Sequence, residues 1–154
     1  MIMDLDQLLA MVTAVFFGGA IGFERALSGK PAGLRTNILV CLGAAVFTSV
    51  AHATSGASPD AASRVMAGII TGVGFLGAGV LIHEGSGVHG LTTAASVWLV
   101  ASIGVACGSG MYAVGAATTF IALLILVVLS PLAKKIRSDL HKKGTGKKKE
   151  EEGI

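Results

Sequence analysis

Five stretches of about twenty predominantly apolar residues follow one another along this chain, at 7–24, 36–54, 64–83, 91–108 and 111–132. Each is long enough to cross the hydrocarbon core of a bilayer as a helix. A helix also satisfies its own backbone polar groups in lipid, which an open strand does not. The expectation is an all-α, polytopic transmembrane helix bundle of about five spans, partnered by the lipid bilayer. The connections are short and carry turn chemistry: Pro59 and Asp60 between the second and third spans, and Gly108-Ser109-Gly110 between the fourth and fifth. Composition agrees. Only 14% of the residues are charged and the mean hydropathy is +0.76, whereas a soluble domain carries about 25% charge to cover its surface.

Charge placement sets the expected orientation. Between Gln7 and Ala133 the formally charged side chains are Glu24, Arg25, Lys30, Arg35, Asp60, Arg64 and Glu84, and the remaining basic residues lie after Ala133. With the N-terminus outside and the C-terminus cytoplasmic, every Lys and Arg except Arg64 falls on the cytoplasmic side, as the positive-inside rule requires. The expected domains are a transmembrane domain over 1–133 and a basic cytoplasmic tail over 134–154, partly disordered. The tail is the main source of the high pI, about 9.1, and is suited to anionic lipid rather than nucleic acid. Asp4 and Asp6 stand where a signal peptide would have basic residues, so the first span is expected to be retained. Cys41 and Cys107 are expected at different depths, as free buried thiols without a disulfide.

The spans differ in kind. The fifth is rich in Ile, Leu and Val between Phe120 and Leu129 and is expected to face lipid. The third carries Gly68, Gly72, Gly74, Gly77 and Gly79. Glycine weakens a water-exposed helix by about 1 kcal/mol relative to alanine, but in a membrane it lets two backbones approach closely. Pairs spaced by four recur at Gly18/Gly22, Gly68/Gly72 and Gly104/Gly108. These predict close helix packing, with the third helix near the centre of the bundle.

Several short patterns are set aside on context. Gly72-Val73-Gly74-Phe75-Leu76-Gly77 matches the spacing of a dinucleotide fingerprint. It lies inside one apolar run, with no strand before it and no acidic residue at the required distance after it. His83, Glu84 and His89 surround a Gly-rich loop at a spacing that zinc sites do not use. No nucleophile elbow is visible. No cofactor, metal or enzymatic activity is therefore expected, with Glu24 and Glu84 kept only as weak metal candidates.

The informative polar residues sit at span ends: Glu24 and Arg25 close the first span, Arg35, Thr36 and Asn37 open the second, Glu84 closes the third, and Thr92 and Thr93 open the fourth. The predicted topology places all of them near the cytoplasmic face. A plain alternative makes Arg25, Lys30 and Arg35 topology anchors. Thr36 or Asn37 is expected to cap the second helix. An internal echo links the two halves. Gly19 lies five residues before Glu24 and Gly79 five before Glu84, and Gly33-Leu34-Arg35-Thr36 is echoed by Gly90-Leu91-Thr92-Thr93. Such an echo predicts a parallel repeat about an axis along the membrane normal, with Glu24 and Glu84 in equivalent positions.

Taken together, these motifs resemble the MgtC/SapB family. The blocks that carry the resemblance are Gly18-Gly19-Ala20-Ile21-Gly22-Phe23-Glu24-Arg25, Ala32-Gly33-Leu34-Arg35-Thr36-Asn37, Gly72 through Gly79, Glu84-Gly85, Gly90 through Ala95, Trp98, Ile103-Gly104 and Gly108. Thr92 stands where some members have Asn, and Leu99 where some have Cys. Larger members carry a soluble C-terminal domain, where this chain has its basic tail. The resemblance implies a multi-pass protein of the bacterial inner (plasma) membrane, associated with growth at low Mg²⁺ and, in pathogens, with survival inside macrophages. It further implies regulation of other membrane proteins, with P-type membrane ATPases or the membrane subunits of F-type ATP synthase as expected partners. The physical logic is a Gly-rich helix surface docking on a partner helix, and a homo-oligomer stays open. The alternative is a Mg²⁺ or other cation transporter with Glu24 and Glu84 in a cytoplasmic carboxylate vestibule. The lack of an acidic residue at the bilayer centre weighs against it.

Overall fold

A computed structural model describes residues 4–54, 59–82 and 90–129, so the loop with Glu84 and the tail over 134–154 lie outside the described residues. All five spans are helices: α1 (Leu5–Leu27), α2 (Leu34–Thr54), α3 (Pro59–Ile82), α4 (Leu91–Gly108) and α5 (Tyr112–Leu129). Each is long and apolar enough to cross a membrane, and no strand occurs among the described residues. Large apolar side chains such as Phe16, Phe47, Phe75 and Phe120 are exposed, as expected where lipid rather than water is the solvent.

Local chemistry moves several boundaries from the expected ones. The first helix starts at Leu5 because Asp4 and Gln7 form a capping box, with the Leu5 N–H donating to Asp4 Oδ1 at 3.1 Å and the Asp4 N–H to Gln7 Oε1 at 3.3 Å. Pro59 and Asp60, expected in a turn, instead open α3. Proline at the first helical position loses only a donor that has no intrahelical acceptor. The second helix begins at Leu34, so neither Thr36 nor Asn37 is its N-cap: the Asn37 N–H already donates to the Gly33 carbonyl within the helix. At the C-termini of α1 and α4 the chain uses one device twice. Gly29 and Gly110 adopt positive φ, and Lys30 N–H to Arg25 and Met111 N–H to Ala106 close the six-to-one bonds of a Schellman motif. Both glycines follow a serine, Ser28 or Ser109.

The centre of the packing is α2 against α4. Gly104 faces Cys41 and Ala44, Gly108 faces Ala45 and Thr48, and Ser49 Oγ donates to the Gly108 carbonyl at 3.3 Å. Residue numbers rise together on the two helices, so they run parallel. Helix α1 is antiparallel to α2, with Gly18 beside Asn37, Ile38 and Cys41 and Gly22 beside Leu34 and Asn37. Helix α3 is antiparallel to α4 and closes a small apolar core around Ala44, Val73, Val97 and Ala101.

The third helix is therefore at the flank, not at the centre as its glycines predicted. It meets α4 and, less extensively, α2, but not α1. The glycines that permit close crossings are on α1 and α4. The pairing pattern has one further property: exchanging α1 with α3 and α2 with α4 leaves it unchanged. The pairs α1·α2 and α3·α4 swap, α1·α4 and α2·α3 swap, α2·α4 maps onto itself, and α1·α3 is absent both ways. Gly33 and Gly90 likewise give their carbonyls to Asn37 N–H at 3.2 Å and Ala94 N–H at 2.8 Å. Such a pairing pattern is what a parallel repeat predicts, while the predicted equivalence of Glu24 and Glu84 lies outside the described residues.

Candidate functional site

Because α1 runs against α2 and α2 runs with α4, the C-terminal end of α1 and the N-terminal ends of α2 and α4 lie at one end of the bundle. Glu24, Arg25, Arg35, Thr36, Asn37, Thr92 and Thr93 gather there. They do not form one connected cluster. Arg35, Thr36 and Thr92 are exposed and Thr93 is buried. Glu84, His83 and His89 lie outside the described residues.

Glu24 and Arg25 form an ion pair between adjacent residues. Arg25 is only 2% exposed, and its Nε donates to Glu24 Oε2. The other carboxylate oxygen accepts from Ser28 Oγ at 2.8 Å. Both oxygens of Glu24 are thus engaged and its charge is neutralised by a buried guanidinium. Among the described residues no three His, Cys, Asp or Glu side chains cluster as a metal site. No sequence motif marks Ser28; its signal is its place four residues after Glu24, at the C-cap of α1.

Asn37 is fully buried and ties down the α1–α2 connection. Its Nδ2 donates to the carbonyls of Ala32 and Gly33, both at 2.8 Å. Its Oδ1 is buried with no hydrogen-bond partner. Replacing Asn37 by Leu leaves those two loop carbonyls without their side-chain donor, at about 1–3 kcal/mol. The expected result is a lower melting temperature in detergent and faster proteolysis of the 28–33 loop. Melting equal to that of the parent chain would show that the loop does not depend on Asn37.

The glycines divide into two groups. At Gly18 a Cβ would come within 2.7 Å of the Cys41 Cβ, and at Gly22 within 2.8 Å of the Leu34 Cα. Gly104 and Gly108 are tighter still, against backbone carbonyls of α2. Gly77 makes an ordinary contact, 3.7 Å to the Ala94 Cβ, whereas Gly68, Gly72, Gly74 and Gly79 face open space. Beside Gly68 and Gly72 runs an apolar groove of about 710 Å³ between α2 and α3. The two cysteines are free and buried.

Five apolar helices, with close glycine crossings of α1 and α4 on α2 and polar residues gathered at one end, define a polytopic membrane protein. The chain belongs to the MgtC family, whose model matches residues 11–135. It is 45% identical over 129 residues to Protein MgtC of Salmonella typhimurium, covering 84% of this chain and 54% of that protein. To Protein MgtC of Brucella abortus it is 42% identical over 131 residues, covering 85% and 54%. The chain thus spans about half the length of the curated relatives it matches. No solved structure matches it.

Proposed function

We propose that this chain is a non-enzymatic, MgtC-like protein of the bacterial inner membrane that regulates other membrane proteins by helix packing, with its N-terminus outside and its C-terminus cytoplasmic. Its action belongs to growth at low Mg²⁺ and, in a pathogen, to life inside the host cell. The partners are membrane ATPases or membrane subunits of F-type ATP synthase. The single observation that carries this is α3, whose Gly68, Gly72, Gly74 and Gly79 leave open space at the helix surface. An apolar helix keeps so many glycines at a cost in helix propensity, and close approach of another backbone is what they offer in return.

Two measurements test it. Purified protein in liposomes is expected to carry no Mg²⁺ flux above protein-free vesicles. A membrane partner is expected to co-purify with the parent chain, and Gly74→Leu to lower its recovery by roughly tenfold without loss of folded protein, since the new side chain enters open space. Saturable Mg²⁺ uptake abolished by Glu24→Gln would replace regulation with transport. The engagement of both Glu24 oxygens by Arg25 and Ser28 argues for the first outcome.

A further inference from the structure

The two-fold pattern of the helices bears on what covers α3. In one half of the fold, the groove between α1 and α4 takes the first turns of α5. A Cβ at Gly115 would lie 3.2 Å from the Phe17 ring and 3.4 Å from Cys107 Sγ, and Tyr112 Oη donates to the Asp6 carbonyl at 3.1 Å. The chain reverses at Ser109-Gly110, so α5 runs in the same sense as α1. Exchanging the halves carries that groove onto the one between α2 and α3. There, among the described residues, no helix of the chain is seated. What remains is the apolar groove of about 710 Å³, lined by Leu39, Gly43 and Phe47 of α2 and by Gly68, Gly72 and Leu76 of α3. At Gly43, Gly68 and Gly72 a Cβ would meet nothing within 4 Å, so the floor admits a helix backbone.

We propose that α3 of a second copy of this chain fills this groove, giving a two-fold dimer about an axis along the membrane normal. Each α3 then lies on α2 and α3 of its partner. Direction favours this occupant. Copies of one chain insert in the same orientation, so a two-fold along the normal sets the two α3 helices parallel, which is the sense that α5 has beside α1. Closure favours it as well. Because α3 is both wall and occupant, one contact covers both copies at once, as an isologous interface does. Finally, α3 is the least buried of the five spans. At about 100° per residue, Gly68, Gly72 and Gly79 share one stripe, whereas Gly74 lies on roughly the opposite side. The second copy takes the Gly72 stripe and leaves the Gly74 side for a different protein.

This inference rests on α3 being the association helix, and its test separates the two. Gly68→Cys, Gly72→Cys and Gly74→Cys are made in the full chain and oxidised in native membranes. The parent chain, with its buried Cys41 and Cys107, is the background. The expected result is a disulfide-linked dimer of this chain at Gly72 and Gly68, on the order of tenfold stronger than at Gly74. In nanodiscs the parent chain is expected to count as two subunits. Gly72→Leu is expected to count as one while remaining folded, because its side chain enters open space within its own chain, and its melting falls only by what association adds to the parent. A monomeric parent chain, or equal dimer yield at Gly72 and Gly74, overturns the proposal. Adducts at Gly72 only with another protein overturn the second copy and keep α3 as the association helix. No adduct at any of the three positions overturns both.

Discussion

Gly104→Val is expected to abolish accumulation of the folded protein. A Cβ at this position falls on the Cys41 carbonyl and within 2.8 Å of the Ala44 Cβ. The first of these is backbone in the middle of a helix and cannot turn aside as the tip of a long side chain can. Relief requires α2 and α4 to separate, and separation also loosens the contacts of Gly108 with Ala45 and Thr48 one turn further on. Overpacking a well-filled core costs about 1–3 kcal/mol. Prying apart two crossings at once reaches or exceeds the upper end of that range. Native proteins hold only about 5–15 kcal/mol in reserve, so a fold centred on this one helix pair has little margin. The check is thermal unfolding in detergent alongside Gly74→Val, which adds the same side chain at an open glycine. Gly104→Val should fail to yield folded protein or melt far below the parent, and Gly74→Val should melt with the parent. Equal melting of the two variants would mean that the α2/α4 contact is not what holds the bundle.

That contrast also marks how far the sequence can be read. The five spans are legible because apolar length is a property of each segment alone. Their ends are less so, since an end depends on one donor or acceptor: the Gly33 carbonyl starts α2 at Leu34 and moves Asn37 from cap to helix interior. The gathering of Glu24, Arg25, Asn37 and Thr93 at one end is also legible, as it follows from counting spans. The consequences of the glycines are not. Gly68/Gly72 and Gly104/Gly108 have the same spacing in equally apolar helices, yet one pair faces open space and the other faces backbone carbonyls. What a glycine does is decided by the neighbouring helix, and no local pattern names that neighbour. The same gap misplaced α3 at the centre. The pairing of Ser28 and the burial of Arg25 are illegible for a related reason: a polar residue at a span end reads as solvated, and only its packed surroundings decide otherwise.

Glu24→Ala is expected to destabilise the protein more than Arg25→Leu, although each removes one half of the same ion pair. Arg25 is 2% exposed, so loss of its carboxylate leaves a buried guanidinium without its counter-charge. Glu24 is less buried and keeps Ser28 Oγ as a donor when Arg25 is lost. Breaking a buried pair from one side costs about 3–5 kcal/mol, and partial exposure of Glu24 moves this case toward the lower figure. The double variant Glu24→Ala/Arg25→Leu removes the stranded charge as well as the pair and should recover most of the loss, because apolar replacement of a whole buried pair is often neutral. A double-mutant cycle in thermal or denaturant unfolding measures the coupling. If the loss in the double variant equals the sum of the losses in the two single variants, the two residues are not coupled and the pair has no structural role. The same variants bear on ion binding. A ligand at free concentration L that binds only the folded state stabilises it by RT ln(1 + L/Kd) and so raises the melting temperature as L exceeds Kd. With both Glu24 oxygens held by Arg25 and Ser28, millimolar Mg²⁺ should leave the parent chain's melting unchanged. Stabilisation by Mg²⁺ that disappears in Glu24→Gln would show that the carboxylate exchanges its protein partners for the ion, and would return the cytoplasmic vestibule to first place.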